Sequence, residues 1–218
     1  MQHTFDEYHK IFDAVIAKYE GEEFFADLIQ KKGRPAFPSE PRNVAIIGIR
    51  HAGKEVNNRD DYADDLIAMA RIATDGSQQV YEYAGTTEPG LFSKVINKEG
   101  DFRLNPGFYV FKQGMHHGVN PCLVPDCNVL GERASKGAAF DETDQKTWTS
   151  TDGTIHIHAG INPGQDHVGQ WSAGCQVIAG GWHGASWTEF FKYAKMATNF
   201  PVPYVLVKDT DIPQMLGQ

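Results

Sequence analysis

Cys175, His156 and His158 fall within one stretch, residues 153–182, that is rich in glycine and other small residues. A cysteine nucleophile must lose its proton near neutral pH, which calls for an adjacent imidazole or oriented backbone N–H groups. Ser172-Ala173-Gly174-Cys175 has side chains small enough for a tight turn that presents the thiol. Backbone N–H groups of such a turn can hold the oxyanion of a tetrahedral intermediate. Upstream, Ile155-His156-Ile157-His158 alternates. On a strand this puts the isoleucines on one side and both histidines on the other. A thiol and an imidazole can therefore meet across adjacent strands.

The same residues admit other readings. His156 and His158, with His116 or His117 and Cys175 nearby, could hold zinc with one position open to water, as in a metallohydrolase or a metal-binding module. A buried cysteine on its own is more often packing than catalysis; here the run Ser-Ala-Gly-Cys downstream of His-Ile-His favours function. His156 reads as a substrate-lining or structural partner rather than a second base. His117 and its neighbour His116 follow a predicted strand and would border the same site, or else sit in a surface turn. Trp171 is a candidate wall beside the thiol, or simply core.

The elements that must position these groups are mostly strands. Phe5, Tyr8, Phe12, Val15, Ile16 and Tyr19 recur at helical spacing behind Thr4 or Asp6 as a cap, and Gly21 ends the run. Residues 22–32 predict a second helix stopped by Gly33, and a Pro-rich connector to Pro41 follows. Strands are predicted at 43–50, 79–84, 107–112, 155–158, 176–178 and 204–207, with one or two more between 120 and 130. Residues 64–71 suit helix or strand equally, and 131–153 read as a long polar surface loop. Residues 186–196 predict a helix capped by Ser186. The pattern implies a mainly β, α+β fold: a β-sandwich or mixed sheets at 42–218, with a helix in the C-terminal region. Residues 1–41 read as a helical appendage covering one sheet edge.

With 218 residues, 41% hydrophobic and 22% charged, the chain can bury one sizeable core. A net charge of -8 argues against a nucleic-acid partner, which needs Lys and Arg on a common face. No basic segment leads into an apolar run at the start, and no apolar stretch is long enough to span a bilayer. The expectation is a chain made in the cytoplasm without membrane insertion. Work at a cell wall would need a phage, secretion-system or other non-classical route. Cys122 and Cys127 could close a short loop, but they read more simply as thiols.

Residues 153–182 are similar to the signature of L,D-transpeptidase (YkuD-like) catalytic domains. That signature has a strand histidine followed by glycine, an inner glycine, and a nucleophile motif ending in Gly-Cys. His158 stands at the family's histidine, Gly160 near its glycine and Gly169 at the inner one; Ser172, Gly174 and Cys175 match the nucleophile motif. Arg103-Leu-Asn-Pro-Gly-Phe-Tyr-Val-Phe111 is similar to an upstream strand of these domains, so the resemblance spans roughly 78–180. Ala173 and Val177 depart from it, where the family carries a histidine and a basic residue. Arg50 and Arg133 are candidates for the missing cation. The resemblance implies that Cys175 attacks a peptidoglycan stem peptide, with His158 as base oriented by the Ala159 carbonyl. It further implies an oxyanion hole at the Gly174 and Cys175 N–H groups. His156, Trp171, Ser172, His117 and Arg133 would line the substrate, and no cofactor or metal is required. A further alternative is a wall-binding module that has lost turnover.

Overall fold

The structure, a computed structural model, describes residues 2–51, 55–56, 59–60, 62–90, 99–134, 145–150 and 155–218. The strands are β1 (Val44–Arg50), β2 (Glu55–Val56), β3 (Arg59–Asp60), β4 (Asp65–Ile72), β5 (Gln78–Thr86), β6 (Phe102–Leu104) and β7 (Gly107–His116). They continue with β8 (Asn120–Pro125), β9 (Val129–Ala134), β10 (Gln145–Ser150), β11 (Ile157–Ala159), β12 (Gln176–Ile178) and β13 (Val202–Lys208). The helices are α1 (Phe5–Tyr19), α2 (Glu23–Lys32), α3 (Ala185–Met196) and the short α4 (Ile212–Met215).

Helix α1 forms because Thr4 and Glu7 cap each other's backbone reciprocally, while Tyr8, Ile11, Phe12, Val15 and Ile16 line one buried face. That face packs on β5, β7 and β13, and the Tyr8 hydroxyl donates to Glu82 at 2.8 Å. These side chains belong to the same core as the strands.

Eight strands close a barrel in the order β1-β13-β7-β8-β11-β12-β5-β4. The molecule is thus mainly β with mixed pairing, as expected, but its principal sheet closes on itself where a sandwich was anticipated. Closure removes the edges that an open sheet would have to protect. Pairing is parallel at β1–β13 and β11–β12 and antiparallel at the other junctions. A second sheet, ordered β10-β9-β6, carries part of the stretch expected to be a loop. Residues 131–134 and 145–150 pair antiparallel as strands; 135–144 and 151–154 lie outside the described residues. The segment around 64–71 is β4, buried along nearly its whole length between β1 and β5. Helix α3 begins one residue before Ser186, with Gly184 at the cap, because the Gly184 carbonyl already accepts the Thr188 N–H. Among the described residues, no helix is long and apolar enough to cross a membrane.

Candidate active site

Two neighbouring pairings of the barrel assemble the site. β11 runs parallel to β12, with His158 opposite Val177, so Cys175 at the entrance to β12 lies beside His156. The His156 N–H donates to Cys175 Sγ at 3.4 Å. On the other side of β11, the hairpin of β7 and β8 brings His116 and Cys122 alongside. His116 stacks on His158 with ring centroids 4.0 Å apart, and its Nδ1 lies 2.9 Å from Nδ1 of His156.

The turn that carries Cys175 is held from three directions. Ser172 Oγ accepts from the Gly174 N–H at 3.0 Å and donates to the Cys175 carbonyl at 2.8 Å. The Ser172 carbonyl receives the Gly90 N–H, and the Ala173 carbonyl receives the Phe102 N–H. Gly174 has φ 134° and lies against the Phe102 backbone, where a Cβ has no room. Gln176 continues the clamp: its amide donates to the Gly174 carbonyl and accepts from the Tyr204 hydroxyl.

His158 is 2% exposed. Its Nδ1 lies 2.7 Å from the Ala159 carbonyl, which makes Nδ1 the protonated nitrogen and leaves the lone pair on Nε2. Nε2 is buried and has no hydrogen-bond partner among the described residues. Ligating atoms of His158, His116 and Cys175 all lie within 4.8 Å of one another. His156 is not a member of that group. Burial holds His158 down at about 3 and His116 at about 4, and pushes the Cys175 thiol up to about 11 against the pull of the His156 N–H. The resting pair is therefore a thiol facing a neutral imidazole. Although part of Cys175 reaches solvent, the protein around its sulfur desolvates a thiolate.

The remaining expected residues are distributed as follows. Trp171 is half-buried and packs over Gly160, whose missing side chain makes room for it. Ser172 is buried, and its hydroxyl works within the turn. The Gly174 N–H is engaged by Ser172 rather than open as an oxyanion donor. His117 is exposed at the β7–β8 hairpin, with φ 50°. Arg133 is buried, donates to the Gly100 carbonyl and lies over the Phe102 ring behind the turn. Arg50 is not presented to a substrate: it is buried and ion-paired to Glu88.

Cys122 and Trp182 complete the surroundings and were not singled out from the sequence as site residues. Cys122 Sγ lies 3.8 Å from His156 Nδ1. Trp182 stacks on His158 at 5.6 Å and 12°, and is itself braced by Trp187 of α3. The Gly180-Gly181 turn that carries Trp182 is clasped to the Gly160-Ile161 corner by two backbone bonds. Its position directly after β12, in Ala-Gly-Gly-Trp, was the available signal.

No protein-family model, no curated protein and no solved structure matches this chain.

Proposed function

We propose that the protein is a cysteine acyltransferase or peptidase of the L,D-transpeptidase type, acting on peptidoglycan stem peptides through Cys175 and His158. The observation that carries the reading is the His158 imidazole. One nitrogen is fixed by the Ala159 carbonyl, while the other is buried without a partner among the described residues, in a ring whose ligating atom lies within 4.8 Å of Cys175 Sγ. An unpartnered buried nitrogen is unfavourable for folding, and a proton acceptor beside a thiol is a use that justifies it.

Because thiol and imidazole are both neutral at rest, proton transfer accompanies attack. Nε2 of His158 takes the Sγ proton as Sγ bonds to the amide carbon. The tetrahedral intermediate collapses with cleavage of the C–N bond, and the imidazolium returns the proton to the leaving amine. The thioester is then resolved by a second amine, giving exchange or crosslinking, or by water, giving hydrolysis. With the Gly174 N–H held by Ser172, that donor reaches an oxyanion only when the turn shifts as the substrate binds.

Incubation with purified muropeptides, followed by mass spectrometry of products and of the intact protein, tests the reading. Wild type is expected to release a terminal D-amino acid and to carry a covalent acyl adduct on Cys175. Cys175→Ala should do neither while keeping its circular dichroism, and Cys122→Ala should retain turnover. Turnover by Cys175→Ala at the wild-type rate would end the proposal.

A further inference from the structure

Beyond acyl transfer, the geometry points to a zinc site at His116, His158 and Cys175 that masks the nucleophile reversibly. The three side chains come from three different strands or their ends: His116 closes β7, His158 lies in β11 and Cys175 precedes β12. Their ligating atoms lie within 4.8 Å of one another. In a tetrahedral zinc site, with Zn–N about 2.0 Å and Zn–S about 2.3 Å, ligand atoms stand roughly 3.3–3.8 Å apart. Closing the cluster onto a metal therefore requires an inward shift of about 1 Å, within reach of side-chain rotation.

A second, independent observation is the orientation of His158. Its Nδ1 is committed to the Ala159 carbonyl, and Nε2, in a side chain that is 2% exposed, is buried with no hydrogen-bond partner among the described residues. A ligating histidine is oriented in this way, with the distal N–H bonded to a carbonyl and the lone pair aimed at the metal. The His116 ring is also held, its Nδ1 lying 2.9 Å from Nδ1 of His156, with the tautomer deciding which ring donates. His156, adjacent on the chain to a coordinating strand, thus supports a ligand without being one. Two imidazoles and a thiolate suit a borderline-soft divalent ion and discriminate against calcium and magnesium, which require oxygen ligands. His116 and Cys175 are only partly buried, so the cluster is not sealed from solvent.

On binding, zinc takes the place of the Cys175 thiol proton, which passes to solvent, and occupies the lone pair of His158. Zinc and an acyl substrate therefore compete for the same two atoms. This consequence rests on the acyl-transfer reading; the binding site itself does not.

The test uses the full chain, freed of metal with a chelator and titrated with zinc sulfate by calorimetry. Iodoacetamide alkylation of Cys175 is followed in parallel by peptide mass mapping. One equivalent of zinc should bind, slow alkylation of Cys175 at least tenfold and be reversed by EDTA. His116→Ala, with unchanged circular dichroism, should weaken binding at least tenfold. X-ray absorption of the zinc-loaded protein should report one sulfur and two imidazole nitrogens, which tests the site without any variant. Absence of stoichiometric binding, or a metal shell without sulfur, overturns the inference. Stem-peptide adduct formation by a protein that binds no zinc removes this site and leaves acyl transfer standing. Zinc binding with the stated shell, in a protein that forms no adduct when metal-free, supports the site and removes acyl transfer instead.

Discussion

Ser172 shows how a single hydroxyl organises the nucleophile turn. It accepts from one backbone group in a buried bond and donates to another in a part-buried one. Ser172→Ala removes a hydroxyl that serves both the buried Gly174 N–H and the Cys175 carbonyl, which should lower stability by about 1–3 kcal/mol. It should also loosen the turn enough to slow acylation of Cys175. Thermal denaturation measures the first effect and adduct formation over time the second; a variant as stable as the parent would show that the hydroxyl is idle. Cys175 and His158 were readable as a pair because small residues before a cysteine and an alternating His-x-His strand lie in one short stretch. His116 and Trp182 carry weaker signals, the end of a predicted strand and an Ala-Gly-Gly-Trp run, and Cys122 carries none. His116 and Trp182 reach His158, and Cys122 reaches His156, because a hairpin and a glycine-hinged turn fold back onto β11, an approach set by long-range pairing.

At the level of elements, α1 behaves as part of the core. Phe12 is fully buried, contacts Phe37 edge-on and faces the strands with Ile11, Val15 and Ile16. Phe12→Ala should therefore destabilise the whole molecule by about 3–5 kcal/mol, the range for emptying an aromatic core position. Urea unfolding followed by both helical and aromatic signals should give one coincident transition, shifted to lower urea. A separate early helical transition would instead mark α1 as an independent unit. The helical periodicity of α1 and its capping residues could be read directly, because a helix end is a local chemical pattern. Strand β4 could not be settled: Leu66-Ile67-Ala68-Met69-Ala70 suits a buried helix as well as a strand, and burial on both faces erases the alternation that would decide. Strand β10 was hidden for the opposite reason. Its polar, threonine-containing sequence resembles a loop, and its strand character comes from pairing with β9.

Across the whole molecule, one end of the barrel contains a buried charged network that also reaches the nucleophile turn. Arg50 pairs with Glu88, Glu88 also receives Arg103, and Arg50 bonds to Thr87. Thr87 in turn donates through its N–H and its hydroxyl to Asp65, which also accepts the His51 N–H. Strands β1, β4, β5 and β6 are tied together by these groups, and β6 begins with Phe102, against which Gly174 rests. Burial, reinforced by the Glu88 charge, pushes the Asp65 carboxyl from its ordinary 3.8 to about 7; Thr87 and Arg50 pull it back only in part. Between those two values the unfolded chain has released the Asp65 proton and the folded chain still holds it. The unfolded state then binds fewer protons, so this group's contribution to stability is fully present below about pH 4 and falls as pH rises toward 7. Asp65→Asn removes the titration while keeping one acceptor oxygen, so its absolute stability is less informative than its pH slope. Urea midpoints measured at pH 4.5 and pH 8 should fall more steeply with pH in wild type than in Asp65→Asn. Equal slopes would mean that Asp65 is ionised throughout, its three donors and Arg50 outweighing burial. The barrel end would then be a fully charged cluster, and its hold on the nucleophile turn would be indifferent to pH across this window.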